Sequence, residues 1–190
     1  MPTRYRYYTA TTLDGFLADD SDSLDWLFAH DVDEQGFLNI GEFMAGVGAL
    51  VMGATTYEWV TGHLAGTGAP WPYDGTPTFV FTHRDQTPIA ETVEIVTGAP
   101  AEWRAELEEA AAGRDVWVVG GGGLAADFAA ADMLDEILVS IAPVTLGAGR
   151  PLFGGPFELQ LLEFGRNRDF LCARYAVIGP LDVIGKSATG

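Results

Sequence analysis

Residues 116–128 read Val-Trp-Val-Val-Gly-Gly-Gly-Gly-Leu-Ala-Ala-Asp-Phe, a short apolar strand that passes through four glycines into a helical stretch. A strand followed directly by a helix is the repeating unit of an α/β domain with a mainly parallel sheet. Backbone N–H groups can approach a phosphate closely at glycine, and the start of a helix adds partial positive charge. The spacing matches neither the Rossmann fingerprint nor a P-loop, so a tightly packed strand–helix corner without a ligand is the alternative.

A second corner of the same kind lies at residues 51–58, which read Val-Met-Gly-Ala-Thr-Thr-Tyr-Glu. Here one glycine separates the strand from the helix, and two hydroxyl residues stand at the helix start. An ordinary capped helix explains this segment by itself. Two such corners in one sheet favour an extended ligand that carries more than one phosphate group.

The rest of the chain alternates between strand-like and helical patterns. Strands are predicted over residues 5–12, 49–53, 78–82, 93–96, 115–119 and 136–142, with two more near 158–163 and 170–178. Helices are predicted over residues 36–47, 55–64, 100–112 and 124–131, the second with a hydroxyl residue at its N-cap and the third closed by Gly113. We therefore predict a single three-layer α/β domain over residues 1–190. Its central sheet is mixed and mostly parallel, with helices on both faces and a C-terminal antiparallel hairpin.

The composition excludes several classes of partner. The chain carries a net charge of −17, and such a surface repels nucleic acid and anionic membranes. Its one cysteine allows no internal disulfide and no cysteine-based metal site, and we predict no metal. The longest apolar run, residues 43–51, is too short to span a bilayer, and the first residues do not resemble a signal peptide. We expect a cytoplasmic protein that binds any anionic ligand through backbone N–H groups and a few of its 10 basic side chains.

Four segments resemble the dihydrofolate-reductase-like proteins that are related to the reductase domain of riboflavin biosynthesis. Residues 12–18, Thr-Leu-Asp-Gly-Phe-Leu-Ala, are similar to the opening motif of that group, and residues 52–57 and 119–126 are similar to its two glycine corners. Residues 135–153, from Asp-Glu-Ile-Leu to Leu-Gly-Ala-Gly-Arg-Pro-Leu-Phe, resemble its most specific signature. The segments follow the family's order, and the resemblance covers residues 5 to about 178.

The resemblance implies that NADPH lies across the carboxyl ends of the central strands. Carried over position by position, the nicotinamide is lined by Ala10, Leu17 and Ala18. The pyrophosphate region is met by Gly53, Thr55 and Thr56, and the other phosphate corner is formed by Gly120, Gly121, Gly122, Gly123 and Leu124. The family often has a cis peptide between the two glycines that match Gly120 and Gly121.

One position departs from the family pattern. The first glycine corner of the family often supplies an arginine to the 2′-phosphate of NADPH, and this chain has Ala54 there. The compensating candidates are Thr82, His83 and Arg84, at the end of a predicted strand. Arginine suits bidentate phosphate binding, although Arg84 also fits the description of a surface loop charge.

The acid that delivers a proton is predicted from one spacing. In dihydrofolate reductases an acidic side chain stands five residues after a loop tryptophan, and Trp26 and Asp31 have that separation. Burial would have to raise the pKa of Asp31 for donation near neutral pH. The alternative is a solvated carboxylate in an acidic loop.

Two more residues are candidates for the catalytic site. Arg150 is a candidate for an anionic group of the substrate, because the riboflavin-pathway substrate carries a ribose phosphate. Its alternative is a structural role in the glycine-rich loop that precedes it. Asp14 either closes the turn at residues 13–15 or reaches the pocket.

Three functions remain open at this point. The first is an NADPH-dependent reductase of a pyrimidine, pteridine or related flat heterocycle, and the second is a reductase of an unrelated secondary metabolite. The third is an NADPH-binding protein without turnover. The chain lacks the His-x-Glu and Pro-Cys-x-x-Cys pattern of a zinc deaminase, so it carries no deaminase half. A small-molecule substrate and a homodimer are expected, the dimer by family analogy and because twofold dimers are the commonest oligomers.

Overall fold

The computed structural model describes residues 2–181. Its strands are β1 Tyr5–Thr12, β2 Phe16–Ala18, β3 Val47–Gly53, β4 Thr78–Phe81, β5 Val93–Val96, β6 Asp115–Gly120, β7 Glu136–Ala142, β8 Arg150–Pro151, β9 Phe157–Asn167 and β10 Phe170–Pro180. Its helices are α1 Asp25–Phe28, α2 Ile40–Ala45, α3 Ala54–Thr67, α4 Arg104–Ala111 and α5 Gly122–Ala130, and a 3-10 turn at Pro100–Trp103 leads into α4.

Eight of the strands form one sheet in the order β5-β4-β3-β6-β1-β7-β10-β9. The first six run parallel to one another, and β10 and β9 are antiparallel. The central strands read as nearly continuous apolar runs because a parallel sheet is covered on both faces. The predicted mixed sheet and its C-terminal hairpin are confirmed. A separate pair, β2 with β8, lies beside the main sheet.

Helices cover both faces of the sheet, as predicted. Val118 of β6 packs with Leu107 of α4 and Phe128 of α5 in the largest core cluster. Its neighbour Trp117 points to the opposite face, where it packs with Phe43 of α2. This alternation follows from the two-residue period of a strand. A further cluster places α3 on the same side as α2.

The boundaries of all four predicted helices differ from the prediction by a few residues, and two of the differences concern the N-caps. The helix predicted over residues 36–47 is shorter, because Asn39 caps α2 by accepting a hydrogen bond from the backbone N–H of Glu42. The hydroxyl N-cap predicted for α3 is wrong. Gly53 occupies that position without a side-chain cap, and Thr55 and Thr56 lie within the first turn. None of the helices within residues 2–181 has both the length and the apolar content needed to span a bilayer.

Candidate active site

A cleft of about 430 Å³ opens at the carboxyl ends of the central parallel strands. Twelve of the residues predicted for the site lie in its lining: Ala10, Leu17, Ala18, Trp26, Thr55, Thr56, Arg84, Gly120, Gly121, Gly122, Gly123 and Arg150. Six others, Asp14, Asp31, Gly53, Thr82, His83 and Leu124, are not in the lining. Trp59, Asp22 and Pro151 are also part of the wall, although no sequence pattern pointed to them.

The cleft exists because two strand–helix corners are neighbours in the sheet. Strand β3 leads into α3 and strand β6 leads into α5, and β3 pairs with β6. The N-caps of these helices, Gly53 and Gly121, make no side-chain capping bond. The first N–H groups of a helix have no partner within the helix, and they carry partial positive charge. Two helix starts suited to bind anions therefore border one cleft.

Two of the four glycines of the second corner, Gly121 and Gly122, are required, each for a different reason. A Cβ atom on Gly122 would overlap the carbonyl oxygen of Pro151, so this position holds α5 tightly against β8. Gly121 adopts a φ of +94°, which side chains rarely tolerate. A Cβ atom on Gly123 would meet no heavy atom within 4 Å. The corner thus combines close packing at one glycine with open space at the next.

The peptide bond between Gly120 and Gly121 corrects an expectation that came from the family resemblance. No cis peptide bond occurs in the part of the chain that the structure describes, so this bond is trans. The chain instead turns through the positive φ of Gly121.

Arg84 reaches the cleft but is already paired. Its guanidinium donates to a carboxylate oxygen of Glu58 at 2.7 Å, and the amide of Gln86 donates to the other oxygen at 2.6 Å. The buried hydroxyl of Thr82 accepts a hydrogen bond from the backbone N–H of Arg84 at 2.9 Å. Thr82 therefore shapes the turn that presents Arg84, and the exposed His83 lies outside the cleft lining.

Arg150 is held in a similar way on β8. Its Nε donates to Asp22 Oδ1 at 2.6 Å and its Nη2 donates to Asp22 Oδ2 at 3.1 Å. This bidentate bond holds the pKa of Asp22 below its usual value. Strand β8 pairs with β2 through Arg150 and Ala18. The ion pair therefore joins the acidic loop after β2 to the strand that packs against the glycine corner.

The basic side chains of β1 and the segment before it lie at the other end of the sheet and are paired with carboxylates there. Arg4 donates to Asp115 at 2.9 Å, and Arg6 donates to Glu136 at 3.0 Å. Asp115 and Glu136 are the first residues of β6 and β7, so this network lies at the amino ends of the parallel strands. In the part of the chain that the structure describes, Arg84 and Arg150 are the two arginines of the cleft lining.

Asp14 closes a turn and ties it to a distant loop. Its carboxylate accepts hydrogen bonds from the Thr12 hydroxyl at 2.6 Å, the Gly147 N–H at 2.7 Å and the Leu146 N–H at 3.1 Å. The hydroxyl of Thr12 contributes most to lowering the pKa of Asp14. This geometry agrees with the turn interpretation of Asp14.

The structure does not bring Trp26 and Asp31 to one site. Trp26 is 8% exposed, lines the cleft, and donates from its indole N–H to the Leu17 carbonyl at 3.2 Å. Asp31 is exposed, and its backbone exchanges hydrogen bonds with Asp169. Because α1 is a single helical turn, the chain has left the cleft wall by the time it reaches Asp31.

A second cavity of about 410 Å³ adjoins the first. The two share Thr9, Ala10 and Leu27. The rest of its wall comes from distant parts of the chain: Tyr8, Phe28, His30, Val32, Asp33, Glu34, Leu38, Asn39, Ile40, Ser140, Asn167 and Phe170. The sequence offered no signal for this cavity, because residues 28–40 meet β1, β7 and β10 only after folding.

Comparison with known proteins gives relatives of similar length. The uncharacterized protein YwjB of Bacillus subtilis is 31% identical over 146 residues, which make up 77% of this chain and 80% of that protein. A candidate riboflavin biosynthesis protein from Shewanella sp. PV-4 has a crystal structure that superposes with a TM-score of 0.77 and 26% identity. That match covers 92% of this chain and 99% of the other.

A longer protein shares the fold. The diaminohydroxyphosphoribosylaminopyrimidine deaminase/5-amino-6-(5-phosphoribosylamino)uracil reductase of Thermotoga maritima gives a TM-score of 0.65 at 16% identity. The match covers 93% of this chain and 57% of that protein. A family model described as the RibD C-terminal domain matches residues 6–168. This match spans most of the chain, which therefore belongs to the RibD C-terminal domain family.

Proposed function

We propose that this chain is an NADPH-dependent reductase that transfers a hydride to a polarised double bond, such as C=N, in a flat heterocycle or related small molecule. The observation that carries the proposal is one cleft in which the starts of α3 and α5 meet Arg84 and Arg150. Membership of the RibD C-terminal domain family supports the reductase class. The name of the Thermotoga maritima relative includes a reductase of a pyrimidine.

The groups in the cleft suit a dinucleotide that carries phosphates. Uncapped helix starts supply N–H donors for phosphate oxygens. Gly53 and Gly123 leave room beside those donors, since a Cβ atom on either would meet no heavy atom within 4 Å. Ala10, Leu17 and Ala18 offer a small apolar surface to a flat nicotinamide ring. On this chemistry the residues present fit NADPH.

Each part of the cleft has a proposed role. The pyrophosphate is bound by two corners: Gly53 with Thr55 and Thr56 at the start of α3, and residues 120–124 at the start of α5. Arg84, presented by the turn at Thr82 and His83, binds the 2′-phosphate after it exchanges Glu58 for the phosphate. Arg150 closes the side of the cleft through Asp22.

The chemistry that NADPH supplies when bound is a hydride for the substrate carbon, and a proton on the neighbouring nitrogen completes the reduction. The protein excludes water and fixes the two partners. The indole of Trp26 holds the Leu17 carbonyl and so orients β2 along the cleft. Asp14 and Asp31 lie outside both cavities, whereas His30 and Glu34 line the second cavity.

Titration of the purified protein with NADPH and NADH by calorimetry tests the proposal. We expect saturable binding of NADPH at one site per chain. A screen of pyrimidines and pterins, followed by loss of nicotinamide absorbance, then tests hydride transfer. Failure of both nucleotides to bind would contradict the proposal.

A binding protein without turnover is the second candidate, and one observation favours it. Neither of the carboxylates predicted to act in catalysis, Asp14 or Asp31, lies in the cleft. On this alternative NADPH binds and no heterocycle in the screen is reduced. Steady-state oxidation of NADPH by any member of the screen would rule it out.

A further inference from the structure

The second cavity lies where a substrate of the proposed reductase would have to enter. It meets the first cavity along Thr9 and Ala10 of β1 and Leu27 of α1. Ala10 is one of the residues proposed to hold the nicotinamide, so a molecule in the second cavity contacts the same stretch of strand. Its volume of about 410 Å³ is within the range of small-molecule sites.

The wall of this cavity is mainly apolar, and several of its side chains lack cover. Phe28, Val32 and Ile40 are 69%, 58% and 42% exposed, and all three lie on the cavity wall. On the inner side, Tyr8 and the buried Phe170 present aromatic surfaces. Exposed apolar side chains gathered around a concavity favour a ligand with flat apolar faces.

Most polar groups on the wall are already used by the fold. Asn39 caps α2 and donates to the Gly36 carbonyl. Asn167 bonds both the N–H and the carbonyl of Asp33. The hydroxyl of Tyr8 donates to the Leu38 carbonyl. These groups shape the cavity and are not available to a ligand.

Within residues 2–181, the polar side chains of Glu34 and His30 make no hydrogen bond, whereas those of Thr9, Asp33 and Ser140 each make one. Within residues 2–181, the carboxylate of Glu34 has neither a hydrogen bond nor an ion pair with another residue of the protein. His30 has one long contact, 3.9 Å from Nδ1 to Asp169. A ligand with N–H donors therefore finds an acceptor in Glu34.

The charge of the wall restricts the ligand further. Among the residues that the structure describes, Asp33 and Glu34 are the acidic ones of the wall, and no lysine or arginine is part of the lining. Arg84 and Arg150 line the other cavity and are paired with carboxylates. A phosphate group in the second cavity would face carboxylates without a counterion.

We propose that the second cavity is the substrate pocket, and that it takes a flat, unphosphorylated nitrogen heterocycle that is neutral or cationic and donates an N–H to Glu34. This inference rests on the proposed function for the position of the hydride. It separates the chain from a reductase whose substrate carries a phosphoribosyl group, such as the one named in the Thermotoga maritima relative.

Two matched pairs of ring compounds test the pocket by calorimetry, without cofactor. One pair is 6-hydroxymethylpterin and its phosphate ester. The other is 5-amino-6-ribosylaminouracil and its 5′-phosphate. We expect the unphosphorylated member of at least one pair to bind about tenfold more tightly than its phosphate, because like charges in an interface are unfavourable. Glu34→Lys should remove or reverse that preference.

The control is Glu106→Lys, which makes the same change of charge on α4, on the other face of the sheet. It should leave the preference of each pair unchanged. Three results would overturn the proposed substrate pocket. The wild type could bind the phosphorylated compounds more tightly, all four compounds could fail to bind, or the two variants could have equal effects. NADPH titration in the same samples keeps the proposals distinct. If the wild-type protein does not bind NADPH, the proposed reductase function is contradicted. If it binds NADPH but binds the phosphorylated ring compounds more tightly than the unphosphorylated ones, only the proposed pocket is contradicted.

Discussion

The guanidinium of Arg84 lies 2.7 Å from a carboxylate oxygen of Glu58 at the edge of the first cleft. Arg84 is the residue proposed to bind the 2′-phosphate of NADPH, so Glu58 competes with that phosphate for the same donor. The binding free energy that Arg84 contributes through the phosphate is reduced by the free energy lost when its ion pair with Glu58 breaks. If the proposed NADPH site is right, the preference for NADPH over NADH should depend on one carboxylate on α3, that of Glu58.

Substitutions at this pair should change NADPH binding more than NADH binding. Glu58→Gln frees Arg84, and since an exposed ion pair contributes up to about 1 kcal/mol, NADPH should bind as much as about fivefold more tightly. Arg84→Ala removes a charge-assisted bond of about 1.5–3 kcal/mol and should weaken NADPH by about tenfold or more. Calorimetric titration with both nucleotides measures the ratio.

The control for the change of net charge is Glu106→Gln on α4, which contacts neither cavity. It should leave both affinities unchanged. If Arg84→Ala weakens NADPH and NADH equally, Arg84 does not bind the 2′-phosphate.

Gly123 offers a test of phosphate binding at the start of α5. A Cβ atom there meets no heavy atom within 4 Å, so an aspartate fits without disturbing the backbone. A carboxylate at a helix start stabilises the helix by about 0.3–1 kcal/mol, so the unfolding temperature of Gly123→Asp should not fall. The same charge repels the pyrophosphate, and NADPH should bind at least about tenfold more weakly.

Gly123→Asn has nearly the same shape without the charge and serves as the matched variant. It should retain most of the NADPH affinity. Equal losses in the two variants would indicate a steric effect, and unchanged binding in both would remove the α5 corner from the phosphate site.

Much of the fold was predictable because its signals are local. The apolar runs of β3 and β6 and the glycines after them are contiguous in sequence, and the two corners lie where they were expected. Asp22 and Pro151 were not predicted, because contacts with residues distant in the sequence bring them to the cleft. Asp22 meets Arg150 across 128 positions, and Pro151 packs against Gly122.

The prediction for Asp31 shows the limit of a spacing argument. The separation from Trp26 was read from the sequence, but it says nothing of the direction in which the chain leaves a one-turn helix. In the structure Trp26 faces the cleft and Asp31 pairs with the β9–β10 turn through Asp169. The second cavity was not predicted for a similar reason, since His30 and Glu34 share its wall with residues of β1, β7, β9 and β10 that are distant in the sequence.

Asp14 should stabilise the fold in a pH-dependent manner. Its folded pKa is lowered, chiefly by the Thr12 hydroxyl, so its contribution is fully present above the ordinary aspartate value of about 3.9. That contribution is lost as the pH falls through the lower folded pKa. Asp14→Asn should therefore lower the unfolding temperature at pH 7, and the difference from the wild type should shrink below pH of about 4.

Thermal unfolding followed by circular dichroism between pH 7 and the acid range measures this difference. Asp20→Asn, in the neighbouring exposed loop, is the control and should not change the pH dependence. If the difference in unfolding temperature between the wild type and Asp14→Asn stays constant with pH, the charge of Asp14 does not stabilise the contact between the two loops.

Exposed apolar side chains on the hairpin of β9 and β10 indicate which surface forms the expected homodimer. Leu159, Leu161 and Phe164 of β9 pair with β10 residues whose side chains face the core, yet they are exposed, Phe164 by 70%. Strand β9 is the edge of the sheet and leaves this apolar row uncovered. We expect a second copy of the chain to cover it, so that Phe164→Asp shifts the protein from dimer to monomer in sedimentation velocity.

Ile89→Asp is the matched control, because Ile89 is an exposed apolar residue outside the hairpin. It should leave the sedimentation coefficient unchanged. A wild-type protein that sediments as a monomer at micromolar concentration would contradict the expected dimer.

Asp31→Asn tests whether Asp31 acts in catalysis, as its spacing from Trp26 predicts, or not, as its position outside both cavities indicates. The carboxylate of Asp31 lines neither cavity, so we expect kcat for any heterocycle that the protein reduces to stay within about twofold of the wild-type value. That limit lies well below the 10²–10⁴-fold contribution of a general acid. Glu34→Gln, by contrast, changes a side chain of the second cavity and should raise KM for the same substrate. If Asp31→Asn lowers kcat by about a hundredfold with NADPH affinity unchanged, then the loop after α1 must close over the substrate during turnover.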